Sequence, residues 1–136
     1  MKKAGQKQEK QPVQRIVMVC VTRQRTCARL IEQGETIAAQ RELPLHVVHA
    51  VKTGENFLGN AVEGEALEFL FKTAQLSNAE LTVLRSDDVE KALLEYARAN
   101  DAAVLVLGSS PETGSGSSFA DRLQGKLPNT ELMVVG

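Results

Sequence analysis

A glycine- and serine-rich segment, residues 108–118, follows the most apolar internal run of the chain, residues 102–107. Glycines let the backbone approach a ligand closely, and serine hydroxyls can donate hydrogen bonds to it. The segment leads into a predicted helix at residue 119, where free backbone N–H groups favour an anion. These features predict a phosphate-binding loop. Its candidate residues are Gly108, Ser109, Gly114, Ser115, Gly116, Ser117 and Ser118.

An alternative stays open for this segment, namely a flexible connection in which Ser118 caps the next helix and Asp121 completes a capping box. Neither the lysine-containing P-loop motif nor the three-glycine dinucleotide motif is present. The phosphate prediction therefore depends on position, because ligands of open parallel sheets bind where the strands end.

A second loop, residues 22–26, follows the first apolar run of the chain. Arg23 and Arg25 carry planar guanidinium groups that suit phosphate oxygens, and Thr22 can cap the helix that follows. Cations are slightly unfavourable near a helix start, which favours an anionic partner nearby. The alternative, equally open, is that both arginines are solvated surface residues.

The histidines and cysteines predict neither a metal site nor a catalytic one. His46 and His49 lie three residues apart on a predicted strand, so they point to opposite faces and do not chelate one metal ion. We interpret Cys20 and Cys27 as buried thiols, although a helix start such as that near Cys27 can lower a thiol pKa. No catalytic triad can be assembled from the predicted strand-end loops.

Apolar runs and helix-periodic segments alternate along the chain. The predicted strands are residues 16–21, 45–51, 81–84, 102–107 and 132–135. The first predicted helix lies between residues 22 and 44, and the others span residues 62–76, 88–100 and 119–127. Continuously apolar strands alternating with helices are typical of a parallel sheet covered on both faces. We therefore predict an α/β fold with an open, doubly wound, five-stranded parallel sheet.

Composition limits the function classes. Sixteen basic and 17 acidic residues give a net charge of −1, which argues against binding nucleic acid across a whole face. No apolar run approaches the roughly 20 residues that span a bilayer. Residues 1–13 are polar and predict a disordered tail rather than a signal peptide, so we expect one domain at residues 14–136 and a cytoplasmic location.

Six segments together have a familiar pattern: residues 15–19, 45–49, 87–89, 101–108, 116–117 and 133–135. With them the sequence resembles the universal stress protein family over about residues 15–136. It is most similar to the stress-protein-like domain of bacterial potassium-sensing histidine kinases, here as a free-standing version. The resemblance implies an adenine nucleotide α-hydrolase-like fold with strand order 3-2-1-4-5.

The resemblance also implies a nucleotide site. Gly108 and the Gly116-Ser117 pair match the ends of the family's glycine motif, at a shorter interval and with Pro111 in place of its second glycine. Val21 stands where binding members have an aspartate at the end of the first strand. Leu45 and Leu107 match positions that contact adenine. The nucleotide-binding residues that we expect near this strand end also include Val19, Cys20, Thr22, Arg23 and Arg25.

From these observations we expect a nucleotide-binding stress or signalling protein without substantial catalysis. The expected ligand is ATP or another adenine nucleotide, with cyclic di-AMP conceivable because of the two arginines, and Mg²⁺ is expected only together with ATP. The family also implies a homodimer through the last strand, Leu132, Met133, Val134 and Val135. The alternatives are a ligand-free dimeric interaction module and a slow ATPase, which needs an acidic residue or metal ligand that the sequence does not place.

Overall fold

The computed structural model describes residues 14–22, 24–56, 62–108 and 119–135. Their strands are β1 (Ile16–Cys20), β2 (Leu45–Lys52), β3 (Glu80–Ser86), β4 (Ala102–Gly108) and β5 (Glu131–Val135). Their helices are α1 (Gln24–Arg41), α2 (Glu63–Leu76), α3 (Val89–Ala99) and α4 (Phe119–Lys126). The strands form one sheet in the order β3-β2-β1-β4-β5, and all pairs are parallel. The predicted fold class is confirmed.

The centre of the sheet is buried on both faces, which explains why its strands are continuously apolar. All five residues of β1 are buried. Val17 and Val19 pack on the side of α1 and α2, whereas Met18 and Cys20 pack on the side of α3 and α4. Alternate residues of one strand thus supply two separate cores.

The order of connections places a switch point between β1 and β4. The chain leaves β1 through α1, which packs on one face, and leaves β4 toward α4, which packs on the other. Neighbouring strand ends whose connections go to opposite faces leave a crevice at the carboxyl edge of the sheet. This edge, where β1 and β4 end, is the place to look for a ligand site.

The apolar residues of α2 do not all face the core. Leu67 and Phe71 share the helical spacing of the segment but are 36% and 57% exposed, and the buried residues are Ala66, Leu70 and Ala74. The buried positions recur at every fourth residue, which gives α2 a narrow apolar stripe and leaves Leu67 and Phe71 beside it.

The end of α3 lies within one residue of the predicted one. The helix ends at Ala99, and the Asn100 side chain donates to the Tyr96 carbonyl oxygen at 2.9 Å. The left-handed residue after the helix is Asp101, with φ of 51°, whereas Asn100 has φ of −106°. Residues 1–13, predicted to be a disordered tail, lie outside the described part of the chain.

Candidate functional site

The end of β1 is fixed by two hydrogen bonds to β2. The N–H of Val21 donates to the Val48 carbonyl oxygen at 3.0 Å, and the Val21 carbonyl oxygen accepts from Nδ1 of His49 at 2.8 Å. Because a carbonyl oxygen only accepts, His49 carries its proton on Nδ1. Burial lowers the pKa of His49, and the nearby positive charge of Arg85 lowers it further. The hydrogen bond to Val21 raises the pKa, but burial outweighs it. A neutral histidine therefore holds a rigid peptide at the switch point.

The end of β4 presents bare backbone beside this peptide. Register places Val106 next to Val19, so Gly108 is level with Val21 two residues further along. Gly108 is exposed, and a Cβ built on it would lie 3.4 Å from Cδ1 of Leu30 on α1. The carboxyl edge at this point is thus a glycine backbone flanked by apolar side chains, against which a flat ring can lie closely.

The ends of β2 and β3 add positive charge along the same edge. Lys52, the last residue of β2, is exposed and level with Ser86 of β3. The Arg85 guanidinium lies one residue earlier on β3 and donates to the Glu55 carbonyl oxygen at 3.0 Å. The sequence pattern alone does not mark these two cations or His49 as site residues. Only the register of β2 against its neighbours reveals them.

Other predicted residues of β1 and β4 lie inside the sheet rather than at its carboxyl edge. Val19 and Cys20 are buried on opposite faces of the sheet, and Leu107 is buried on the side of α3 and α4. Val21 lies at the edge with a buried side chain, and Thr22 is exposed there. Of the described candidates, the structure brings Val21, Thr22 and Gly108 together.

The placement of Leu45 with this site is wrong. Leu45 pairs with Val17 at the amino end of β2, four residues before Val21 on the neighbouring strand. At about 3.3 Å per residue it lies roughly 13 Å below the carboxyl edge. Its side chain is buried beneath Gly34 of α1, so Leu45 belongs to the core.

Several predicted residues cannot be placed in this geometry. Arg23 and the loop candidates Ser109, Gly114, Ser115, Gly116, Ser117 and Ser118 lie outside the described residues. Arg25 belongs to the first turn of α1, which contains no acidic residue. The helices α1 and α4 follow β1 and β4, so both begin on the side of the sheet where these two strands end.

The remaining candidates for metal or thiol chemistry are engaged elsewhere. His46 lies on the opposite face from His49, as predicted, and its Nδ1 lies 2.8 Å from the Tyr96 hydroxyl. Burial raises the pKa of Cys20 to about 12 and that of Cys27 to about 11, so both thiols are protonated at neutral pH. Within the described ranges, no three His, Cys, Asp or Glu residues group as metal ligands.

A second depression lies between α3 and α4. This groove has a volume of about 380 Å³ and is lined by charged side chains of both signs, including Lys91, Glu95 and Arg98. This groove has charges of both signs and no exposed glycine backbone among its lining residues, so it offers a flat ring less apolar contact than the carboxyl edge does. Among the described helices, none is long and apolar enough to cross a membrane.

Solved structures share this fold. A universal stress protein in complex with cAMP is 18% identical, with a TM-score of 0.66, over 91% of this chain and 98% of its own. A universal stress protein from Archaeoglobus fulgidus is 19% identical, with a TM-score of 0.67, over 91% and 95% of the two chains. One from the same organism in complex with dAMP is 16% identical, with a TM-score of 0.60, over 91% and 99%.

At these identities the likeness is one of fold. No curated protein matches the sequence significantly. A family model does: residues 14–126 match that of the Universal stress protein family. The match covers most of the chain and includes both strands of the switch point. The chain therefore belongs to the universal stress protein family.

Proposed function

We propose that this protein binds an adenine nucleotide where β1 and β4 end, and that it acts as a regulatory protein without substantial catalysis. The observation that carries the proposal is the exposed backbone of Gly108 beside the immobilised Val21 peptide. A purine ring needs a rigid, flat, largely apolar surface, and this edge offers one at the switch point of the sheet.

The phosphate end of the ligand would lie toward the starts of α1 and α4. Helix N-termini attract anions through their free N–H groups and dipole. The Gly/Ser segment before α4, together with Arg23 and Arg25, remains the predicted phosphate contact, and Lys52 adds a positive charge on the same edge. Relatives with cAMP and with dAMP, both adenine nucleotides with one phosphate, support this ligand class.

The absence of an acidic side chain at position 21 favours binding over hydrolysis. Val21 is buried, and its carbonyl oxygen is already bonded to His49. Position 21 therefore supplies no carboxylate to hold a metal ion or activate water. Mg²⁺ would accompany ATP through the phosphates of ATP. Arg23 and Arg25, whose guanidinium groups suit phosphate oxygens, make cyclic di-AMP a further candidate.

We also propose that the protein forms a homodimer through β5. This strand pairs with β4 on one side, and its other edge has no partner among the described strands. Leu132, Met133 and Val135 are half-buried and Val134 is 50% exposed. An apolar edge strand of this kind needs cover, which a second copy can provide.

Gly108→Val tests the nucleotide site. The added methyl groups would occupy the space beside Leu30 over which the ligand must lie, while valine suits a strand end. Titration calorimetry with ATP, AMP, cAMP and cyclic di-AMP should give an affinity about tenfold lower or worse than wild type, equivalent to ~1.4 kcal/mol or more.

The matched control is Gly64→Val in α2, where an added Cβ meets no atom within 4 Å. It should bind like wild type, and urea unfolding should show that both variants are folded. Equal affinity in Gly108→Val would contradict the site. If titrating wild type with these nucleotides releases or absorbs no heat at two temperatures, nucleotide binding itself is contradicted and the ligand-free dimer is favoured.

A further inference from the structure

Glu90, in the first turn of α3, makes two ion pairs to α4. Its Oε1 accepts from Nε of Arg122 at 3.0 Å, and its Oε2 accepts from Nζ of Lys126 at 3.2 Å. The Glu90 side chain is 22% exposed, and its two partners are about half exposed. A carboxylate with both oxygens engaged by cations on successive turns constrains the rotation of the helix that carries them.

The short helix α4 depends on such contacts. It has eight residues, and an isolated helix of that length is not stable in water. Leu123 is its one buried residue, and Phe119 and Ala120 pack partly against the same core. At the far end of α4 the Lys126 carbonyl oxygen accepts from Arg98 at 3.1 Å. The ion pairs of Glu90 add a second link to α3.

Arg122 connects this link to the start of α4. Its guanidinium carbon lies 5.7 Å from the centroid of the Phe119 ring, within the range of a cation–π contact. Phe119 is the first residue of α4 and packs partly against the core on this face. A chain of three side chains, Glu90 to Arg122 to Phe119, thus runs from α3 to the N-terminus of α4.

We propose that Glu90 is a positioning residue for the nucleotide site. By fixing Arg122 it fixes Phe119, and with it the direction of the free N–H groups in the first turn of α4. This inference rests on the proposed function, in which those N–H groups face the phosphate. Glu90 itself touches no ligand, so its effect on affinity is transmitted through α4.

Glu90→Gln keeps the side-chain size and one acceptor oxygen but removes the charge. We expect it to weaken binding of the tightest ligand among ATP, AMP, cAMP and cyclic di-AMP by about two- to fivefold, which stays within the free energy that half-exposed ion pairs contribute. Arg122→Gln should weaken binding equally, and the double variant no further, because both act through one path. Lys126→Gln, which leaves Arg122 over Phe119, should have a smaller effect.

The control separates positioning from general stability. Glu131→Gln breaks the exposed ion pair between Glu131 and Arg41, the last residue of α1, whose N–O distance is 2.6 Å. It should lower the unfolding free energy as Glu90→Gln does, yet leave the nucleotide Kd unchanged. An unaltered Kd in Glu90→Gln, or additive losses in the double variant, would overturn the inference alone. Failure of the wild type to bind any of the four nucleotides would overturn the proposed function and this inference with it.

Discussion

At the scale of single residues, the site depends on a contact between residues 28 positions apart. His49 donates to the Val21 carbonyl oxygen and holds the strand end where the family resemblance led us to expect an aspartate. The sequence predicts that His46 and His49 face opposite sides, because that follows from the two-residue period of a strand. It does not predict the partner of His49, since that requires the register between β1 and β2.

The buried, neutral His49 makes stability depend on pH. Because burial lowers its pKa in the folded state, the unfolded state binds a proton first as pH falls. This contribution to stability is therefore complete above the ordinary histidine pKa of about 6.5 and declines as pH falls from there toward the lowered value.

His49→Asn should retain a donor for the Val21 carbonyl oxygen and lose this titration. Urea unfolding at pH 7.5 and 5.5 measures the effect: wild type should lose more stability between the two values than the variant does. Equal losses in the two proteins would show that His49 is not protonated preferentially in the unfolded state.

At the scale of elements, α1 lies close to the sheet because of one glycine. A Cβ at Gly34 would overlap Cγ2 of Val19 and lie 3.1 Å from Cδ1 of Leu45. Both side chains are buried and cannot move aside freely. Gly34 thus sets the distance between α1 and β1, and with it the position of the helix start next to the site.

Gly34→Ala should therefore destabilise the protein by ~1 kcal/mol or more, because overpacking outweighs the gain in helix propensity. Gly64→Ala in α2, where the added methyl group meets nothing within 4 Å, should instead stabilise by about 0.5–1 kcal/mol. Urea unfolding compares the two. A change in unfolding free energy of the same sign in both variants would contradict the close approach of α1 to β1.

The elements themselves were largely predictable, for identifiable reasons. The runs at residues 16–21 and 102–107 became buried central strands because only a doubly covered strand tolerates continuous apolar residues. The inner face of α2 could not be predicted from the helical period. Leu67 and Phe71 satisfy that period as well as Ala66 and Leu70 do, and the period alone does not say which of them meet the sheet.

At the scale of the whole molecule, the sheet has two edge strands, β3 and β5. Val134→Lys places a charge on the β5 edge and should convert the proposed homodimer to a monomer of 14.8 kDa. Light scattering checks the mass, with Leu76→Lys as control, since Leu76 is an 88% exposed leucine at the end of α2. A dimer that survives Val134→Lys, or a monomeric wild type, would remove β5 as the interface.

The sequence predicted the sheet and the edge at which we propose the site, but only part of the proposed site. Gly108, Val21 and Thr22 could be named because the proposed site follows from where β1 and β4 end. Leu45 could not be placed correctly, because distance along the neighbouring strand depends on register. The sequence did not identify Lys52 and Glu90 as members of the proposed site, since the roles that we propose for them depend on neighbours far away in sequence.

The most direct test concerns the proposed binding of an adenine nucleotide where β1 and β4 end. Titrating AMP into the ¹⁵N-labelled protein and following the amide spectrum tests both the binding and its location. We predict shifts concentrated at Val21, Thr22, Gly108 and Phe119, with none at Leu45. No shifts at millimolar AMP, or shifts concentrated in the groove between α3 and α4 around Glu95, would contradict the account.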